Sequence, residues 1–382
     1  MKLCLVITTR GNYAKVKSII QAAQNDPDVE LQIIVGGGAI LAKYGNIADS
    51  LINLGVKVDR RIHFLVEGET PVTMAKSAGL AVSEFTTAFE NLNPDIVMVI
   101  ADRFECLSIA MTASYMNIPV AHMEGGEVSG SIDESIRHAI TKLAHVHFPA
   151  TQEAADRIVR MGEAPETVFP VGASSLDVIA SLDLDNLKPV VDLQESAGVG
   201  TKVDISQPYL VVIQHPVTTE YSKNLEHVNQ TLSAISELGM GAIWIWPNMD
   251  AGSDGISKGI RIFREKNSSA AIHFFKSLPI ELYAPLLKNA QVIVGNSSSG
   301  IREAAFMGTP CVNIGSRQSG RDRSNNILDV GYDKNAIKDA IKAQLAHGRY
   351  EPNHMWGDGK AGGKMLAILK DYDFTIQKRI TY

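Results

Sequence analysis

Short apolar runs alternate with helix-length segments along the whole chain of 382 residues. The first half contains the runs KLCLVITT, VELQIIVGG, DIVMVIAD, IPVAHMEGG and HVHFPAT. The second half contains YLVVIQHP, GAIWIWPN, AAIHFFKS, AQVIVGNSSS and TPCVNIGS. Nearly continuous apolar runs of this length are typical of strands that are buried on both faces of a parallel sheet. The pattern therefore predicts an α/β fold with two Rossmann-like parallel-sheet domains that face each other across a cleft.

A less regular segment with several prolines and glycines separates the two series of strands and extends to about residue 207. A chain of this length exceeds the usual size of one hydrophobic core, so we expect two domains. We place the first domain at residues 1–172 and the second at residues 173–361. The stretch from about residue 362 to residue 382 has a helical pattern, and we expect it to pack back on the first domain.

Composition and charge exclude several classes of protein. Hydrophobic residues make up 45% of the chain and charged residues 20%, as in ordinary globular proteins. The net charge of −6 gives no electrostatic reason to expect nucleic acid or an anionic membrane as a partner. No apolar stretch approaches the roughly 18 residues of a membrane span, and the N-terminal apolar run is too short for a signal peptide. We therefore expect a cytoplasmic protein whose cysteines are reduced: Cys4, Cys106 and Cys311.

Acidic side chains follow two of the predicted strands in the first domain. Asp102 and Arg103 come directly after DIVMVI, and Glu124 follows IPVAHM. Ligands of open α/β sheets bind beyond the carboxyl ends of the strands, so these positions predict a site. A plain alternative for Asp102 is that its side chain caps the next helix.

The segment SGSIDESIRH begins the helix that follows Glu124, and it contains two more acids. Ser131 and Glu134 have the spacing of a capping box, in which each side chain bonds to the backbone of the first turn. That structural role favours Asp133 over Glu134 as a catalytic group. The first domain is therefore predicted to supply proton-transfer groups.

Groups that suit an anion follow other strands. TTRGNYAK places Arg10 and Lys15 near the start of the first helix, although a plain strand–turn–helix cap explains this segment equally well. IQHPVTT places His215 at a strand end, where a structural role is equally open. Both segments are consistent with phosphate binding and do not require it.

The segment GNSSSGIRE is the strongest candidate for a diphosphate site. Backbone N–H groups at a helix start, together with the hydroxyls of Ser297 and Ser298, suit a phosphate. Glu303 on the same helix is placed to accept hydrogen bonds from ribose hydroxyls. One or two arginines of the following GSRQSGRDR segment are expected to reach the phosphates, from among Arg317, Arg321 and Arg323.

Metal and redox chemistry have little support in the sequence. His138, His145 and His147 match no compact metal-binding pattern, and His145 and His147 alternate on a predicted strand. The glycine fingerprint of dinucleotide-binding domains is absent, so a nicotinamide site is not expected. We therefore predict no cofactor.

Together these motifs resemble the UDP-N-acetylglucosamine 2-epimerases, and in particular their hydrolysing branch in sialic acid pathways. The matches are collinear over roughly residues 3–330: TTRGNYAK, ADRFE, HMEGGEVSGSIDESIRHAITKLAH, IQHPVTT, GNSSSGIRE and GSRQSGR. The resemblance implies a two-domain fold of the glycosyltransferase-B type and a UDP-linked sugar as the substrate. It also implies N-acetylmannosamine and UDP as the products, no metal or redox cofactor, and a homodimer or homotetramer.

The resemblance also implies roles for individual residues. Catalytic roles carry over to Asp102, Glu124, Asp133 and His215. Binding of the nucleotide and its phosphates carries over to Arg10, Arg103, Ser297, Ser298, Glu303 and Arg321.

The chain departs from the family pattern at three positions. Gly11 and Asn12 stand where the family usually has an alanine and an acid, and Ser277 stands where some members have a histidine near the base pocket. These departures leave the sugar substituents and the base open, because related enzymes act on UDP-linked 2,4-diacetamido sugars or on GDP-linked sugars. A non-hydrolysing epimerase, a glycosyltransferase of the same fold and a binding protein without turnover are the remaining alternatives.

Overall fold

The computed structural model describes residues 1–41, 47–53, 55–67, 71–100, 103–128, 132–247 and 253–381. The chain divides into two compact units, Met1–Ala180 together with Met355–Tyr382, and Ser181–His354. The first unit therefore extends to residue 180, whereas the boundary was predicted at residue 172. The chain returns to the first unit at Met355. Among the helices that the structure describes, none combines the length and apolar character needed to cross a bilayer.

The first unit is built on a parallel sheet whose six described strands have the order β3-β2-β1-β4-β5-β6. This is the strand order of doubly wound nucleotide-binding domains, in which the order reverses between β1 and β4. The inner strands are almost completely buried because their side chains are apolar on both faces. The strands are β1 (Lys2–Ile7), β2 (Glu30–Gly36), β3 (Arg60–Ile62), β4 (Ile96–Ile100), β5 (Val120–Met123) and β6 (Val146–Phe148).

Helices connect these strands and cover the sheet. The first helix starts at Arg10 because the Thr9 side chain accepts from the Asn12 N–H while the Asn12 side chain bonds back to the Thr9 backbone. The helices are α1 (Arg10–Gln24), α2 (Ile47–Asn53), α3 (Pro71–Leu92), α4 (Phe104–Tyr115), α5 (Ile132–Leu143), α6 (Gln152–Arg160) and α7 (Ser175–Ala180).

The second unit contains a sheet whose seven described strands have the order β13-β12-β11-β8-β9-β10-β7. The pairs are parallel except that β7 runs antiparallel to β10 at the edge. The strands are β7 (Val199–Gly200), β8 (Tyr209–Ile213), β9 (Gly241–Ile245), β10 (Ile272–Phe275), β11 (Val292–Gly295), β12 (Cys311–Ile314) and β13 (Ile327–Val330).

The helices of the second unit again alternate with the strands. They are α8 (Lys188–Ser196), α9 (Asn224–Leu238), α10 (Ser253–Lys266), α11 (Ile280–Asn289), α12 (Ser298–Ile301), α13 (Glu303–Met307) and α14 (Lys334–His347). The last helix, α15 (Ala361–Asp371), belongs to the first unit, where it packs against α1 and joins the core around β1.

The predicted fold class, two parallel-sheet α/β domains, is confirmed. All ten predicted apolar runs contain strands. Three strands were not predicted, namely β3, β7 and β13. They are edge strands of the two sheets and are short, polar or exposed. Such strands lack the apolar pattern on which the prediction depended.

Candidate functional site

Glu124 lies one residue beyond β5, at the carboxyl edge of the first sheet. The residue is buried, and its Oε2 atom accepts a hydrogen bond of 2.5 Å from the Nζ atom of Lys15 in α1. Its backbone has φ +57°, a left-handed conformation that is uncommon outside glycine. The Glu124 N–H donates to the carbonyl O of Phe148 at 2.9 Å, which fixes the turn to β6. A buried, cation-paired carboxylate on a strained turn is typical of functional sites.

Two arginines hold the loop that follows Glu124. Arg137 in α5 donates to the carbonyl O of Glu127 at 2.5 Å, and Arg157 in α6 donates to the carbonyl O of Gly126 at 2.5 Å. Gly126 has φ +77°, and a Cβ atom at this position would lie 2.2 Å from a backbone carbonyl O of α6. Only glycine fits there. The loop is therefore positioned by both neighbouring helices.

Arg103 and Asp133, two of the predicted site residues, lie within electrostatic reach of each other. Arg103 follows β4, and its Nε atom donates to Oε1 of Glu105 at 2.8 Å. Burial acts to lower the pKa of the Arg103 guanidinium, but the carboxylates of Glu105 and Asp133 contribute to raising that pKa above its ordinary value. Asp133 itself lies in the first turn of α5. The carboxyl edge of the first sheet thus combines acids and cations in one neighbourhood.

Some predicted groups lie outside the described residues. These are Asp102, Ser131 and the side chain of Arg10, although α1 begins at Arg10. Their roles stay predictions, as does the capping box of Ser131 with Glu134. The Oε1 atom of Glu134 lies 3.9 Å from Nε2 of His138, one turn along α5.

Two of the histidines considered as metal ligands are hydrogen-bonded within the fold. His145 Nδ1 accepts from the Val120 N–H at 3.1 Å, and its Nε2 lies 3.1 Å from the carbonyl O of Ile376. The fully buried His147 has its Nε2 atom 3.1 Å from Oε2 of Glu163. Burial lowers the pKa of both imidazoles. Among the described residues, no group of His, Cys, Asp and Glu side chains is arranged to hold a metal ion.

His215 lies two residues beyond β8, at the carboxyl edge of the second sheet. Its backbone N–H donates to Oδ1 of Asn296 at 2.6 Å, and its carbonyl O accepts from Nδ2 of Asn296 at 2.9 Å. Asn296 directly follows β11, the neighbour of β8 in the sheet. Asn296 was not among the predicted site residues, although its position directly after an apolar strand was an available signal.

The serines after β11 form the start of α12. Oγ of Ser297 accepts from the Ser299 N–H at 3.3 Å, and the Gly300 N–H donates to the Ser297 carbonyl O at 3.1 Å. These two backbone donors are therefore used within the turn, and the role of Ser297 and Ser298 in binding a diphosphate stays a prediction. Ser297 and Ser298 are both half-buried, and Glu303 begins the next helix, α13.

The three arginines after β12 have different environments. Arg317 donates to the Asn296 carbonyl O at 3.2 Å, and Arg323 lies 3.3 Å from Oδ1 of Asp329. Arg321 is half-buried in the loop between them. The role of Arg321 as a phosphate ligand stays a prediction.

Lys15 has a partner that the sequence analysis did not foresee. Its segment was considered consistent with an anionic ligand, with a plain helix cap equally open, and the anion that Lys15 contacts is the carboxylate of Glu124. Lys15 thus contacts one of the predicted catalytic residues.

Comparisons with known proteins agree with this architecture. The family model described as UDP-N-acetylglucosamine 2-epimerase matches residues 21–370. A UDP-N,N'-diacetylbacillosamine 2-epimerase (hydrolyzing) from Legionella pneumophila is 33% identical over 377 residues, covering 97% of this chain and 95% of the relative. A UDP-N-acetylglucosamine 2-epimerase from Neisseria meningitidis is 33% identical over 360 residues, covering 94% of this chain and 92% of the relative.

A solved structure supports the fold alone. The UDP-GlcNAc 2-epimerase from Neisseria meningitidis bound to UDP-GlcNAc matches with a TM-score of 0.78 and 16% identity, covering 97% of this chain and 100% of that chain. The family match and the similar hydrolysing relatives place the chain in the class of hydrolysing nucleotide-sugar 2-epimerases. The chain belongs to the UDP-N-acetylglucosamine 2-epimerase family.

Proposed function

We propose that the protein hydrolyses a UDP-linked 2-acetamido sugar with inversion at C2, and that UDP-N-acetylglucosamine gives N-acetylmannosamine and UDP. The observation that carries this proposal is the ion pair of buried Glu124 with half-buried Lys15 at the carboxyl edge of the first sheet. It supplies a proton-transfer group at the position where α/β sheets bind ligands. The name of the Neisseria relative supports the sugar, and the name of the Legionella relative supports the hydrolytic outcome.

The order of bond changes follows from the chemistry of the sugar. The C2 proton is not acidic in the ground state, because no carbonyl is attached to C2. Loosening the C1–O bond to UDP creates an oxocarbenium-like centre, which acidifies this proton. A base then removes it, and a 2-acetamidoglucal and UDP result. Water adds its hydroxyl to C1, and a proton returns to C2 from the opposite face. The substrate and products have the same oxidation state, so no redox cofactor is needed.

Proton transfer on the two faces of C2 requires at least two groups. We assign these roles to Asp102, Glu124 and Asp133, of which Glu124 and Asp133 are described in the structure. The Nζ atom of Lys15 lies 2.5 Å from Oε2 of Glu124, which places a positive charge beside the carboxylate that we assign to proton transfer. Each positioned acid or base contributes on the order of 10²–10⁴-fold to the rate.

Departure of UDP requires stabilisation of the charge that develops on its phosphates. We assign this to His215, to the hydroxyls of Ser297 and Ser298, and to Arg321, all on loops at the carboxyl edge of the second sheet. Glu303 is assigned to the ribose, and Arg10 and Arg103 to the phosphates. Preorganised donors of this kind supply a large part of the rate enhancement of many enzymes.

A second candidate substrate is a UDP-linked 2,4-diacetamido sugar. The Legionella relative, which matches over 97% of this chain, carries that substrate in its name. The same elimination and hydration operate at C1 and C2, so only the pocket around C4 has to differ. Either free product suits the synthesis of sialic acid or a related nonulosonic acid, and we propose a homodimer or homotetramer as the active form.

The experiment is an incubation of the purified protein with UDP-N-acetylglucosamine and, separately, with a UDP-linked 2,4-diacetamido sugar. Proton NMR of the anomeric and C2 signals reports the product, and a coupled assay reports free UDP. We expect equal amounts of free UDP and free C2-inverted sugar from one of the two substrates. A UDP-linked epimer without free UDP would indicate a non-hydrolysing epimerase. Free sugar that keeps its C2 configuration would contradict the proposal.

A further inference from the structure

Asn296 is a buried residue of the second unit that forms hydrogen bonds with two other loops. Its side chain is almost completely buried, with an exposure of 1%. Oδ1 accepts from the His215 N–H at 2.6 Å, and Nδ2 donates to the His215 carbonyl O at 2.9 Å. The amide therefore satisfies both backbone polar groups of one residue, as a paired strand would do.

This contact extends the pairing of β8 and β11 beyond the end of the sheet. The last paired residues are Ile213 and Gly295, and the Asn296 N–H still donates to the Ile213 carbonyl O at 3.0 Å. Gly295 has φ +131°, and a Cβ atom there would lie 1.9 Å from that same carbonyl O. Only glycine allows this turn. The glycine thus lets the chain bend so that the following amide meets His215.

The backbone of Asn296 connects a third loop. Its carbonyl O accepts from Nε2 of Gln318 at 2.9 Å and from Nη1 of Arg317 at 3.2 Å. Gln318 is itself 1% exposed. One buried residue therefore links the loops after β8, β11 and β12, which carry His215, the serine segment and Arg321.

We propose that Asn296 is a positioning residue, which sets the backbone of His215 and the relative placement of the three phosphate-side loops. This inference rests on the proposed function for the role of His215. Asn296 is not assigned a contact with the substrate, since both polar atoms of its side chain are bonded to His215. Asparagine is suited to this position because its side chain offers a donor and an acceptor together. Aspartate of the same shape lacks the donor, and its carboxylate would face the His215 carbonyl O.

The test is a double-mutant cycle with Asn296→Ala, His215→Ala and the double variant. Turnover of the UDP-sugar and the dissociation constant of UDP are both measured. We expect Asn296→Ala to lower kcat/KM by about 10²-fold, since a shift of about 1 Å in a catalytic group has such an effect. In the His215→Ala background the same change should cost about tenfold at most, because the contribution of the His215 side chain is already lost while the other two loops still depend on Asn296.

Two further variants keep the test decisive. Asn296→Asp retains the shape, so it replaces Asn296→Ala in the cycle if the alanine variant fails to fold. Asn313→Ala is the matched control, because Asn313 is also buried, at 2% exposure, and bonds to Asp329 at 2.6 Å. The control should keep kcat/KM within about threefold of the wild type.

Full additivity, or wild-type kinetics of the Asn296 variants, would overturn the positioning role. If the wild type shows no turnover, the proposed function fails by itself. The cycle then still decides the role of Asn296 from the dissociation constants of UDP.

Discussion

The two ends of helix α5 both carry charged groups, but their surroundings differ. At the C-terminal end, Nζ of Lys142 lies 2.5 Å from Oε1 of Glu163. Oε2 of the same buried carboxylate lies 2.6 Å from Nζ of Lys378 and 3.1 Å from Nε2 of His147. Burial alone would raise the pKa of Glu163, but hydrogen bonds from His147, Lys142 and Lys378 lower it to about 2.

The last residues of the chain complete this C-terminal cluster. Lys378 also donates to the carbonyl O atoms of Thr141, Lys142 and Ala144, where α5 ends. A cation at this end of a helix is favourable, because the carbonyl groups there have no partner within the helix. Glu163 and Lys378 therefore both have their partners within the protein.

At the N-terminal end of α5, Asp133 lies at the carboxyl edge of the sheet, and its negative charge contributes to raising the pKa of the Arg103 guanidinium. This is the end that the proposed function assigns to the substrate. Under the proposed function, one helix serves two purposes: the ion cluster at its C-terminal end stabilises the fold, and Asp133 at its N-terminal end takes part in proton transfer. The variants below separate these two purposes.

The largest effect is expected for Asp133→Asn at the N-terminal end. The amide keeps the size of the side chain but cannot carry the proton, so kcat should fall by about 10²–10⁴-fold. The thermal midpoint should stay within about 2 °C of the wild type, and the affinity for UDP should be retained. Steady-state kinetics measures kcat, and calorimetry measures the thermal midpoint and the affinity for UDP. Wild-type turnover in this variant would remove Asp133 from the mechanism.

Glu163→Gln at the C-terminal end should show the opposite pattern. Removal of this buried carboxylate leaves the half-buried ammonium group of Lys378 and the more exposed one of Lys142 without their counter-charge, which costs about 3 kcal/mol of unfolding free energy. Turnover per folded molecule should change by less than about threefold, because the site is not touched. Urea unfolding and active-site titration with UDP measure the two quantities. A large loss of turnover without a loss of stability would contradict the distinction between the two ends.

The stability difference between wild type and Glu163→Gln should depend on pH. The folded-state pKa of about 2 lies below the ordinary pKa of a glutamate, which is about 4.3. The stabilisation by ionised Glu163 is therefore complete above about pH 4.3, and it is lost as the pH falls toward about 2. Unfolding free energies at a series of pH values between these limits should show a shrinking difference. A constant difference would mean that the ion cluster is not its source.

A smaller effect is expected for Lys378→Met, which keeps the length of the side chain and removes its donors. Unsatisfied buried acceptors should cost about 1–3 kcal/mol of unfolding free energy. The matched control is Lys370→Met, because Lys370 forms ion pairs with Asp26 at 2.8 Å and Asp28 at 3.2 Å in a more exposed setting. Such an exposed pair contributes little to the unfolding free energy, because water and salt screen it. Equal losses of unfolding free energy in the two variants would show that the contacts of Lys378 stabilise the protein no more than an exposed ion pair does.

Much of the fold was predictable because its signal is local. Ten buried strands follow from apolar runs, and candidate site residues follow from their positions directly after these strands. The exact start of α1 at Arg10 was harder to predict, because it depends on a capping box with an asparagine in place of the usual Glu or Gln. Short or exposed strands such as β13 lack the local signal.

The contacts within the site were not predictable, because their partners are distant in the sequence. Lys15 and Glu124 are 109 residues apart, and His215 and Asn296 are 81 residues apart. Lys378 lies more than 200 residues from the helix end that it contacts. Only the order of strands in each sheet brings such residues together, and that order is a property of the whole chain.

The most direct test of the proposed chemistry is the reaction in D2O with UDP-N-acetylglucosamine or the 2,4-diacetamido substrate. Elimination of UDP followed by protonation from solvent predicts one deuterium at C2 of the free product, with loss of the C2 proton signal and equimolar UDP. Mass spectrometry measures the incorporated deuterium, and proton NMR measures the loss of the C2 proton signal. A C2-inverted product that retains its original proton would contradict the elimination route and the roles assigned to Glu124 and Asp133.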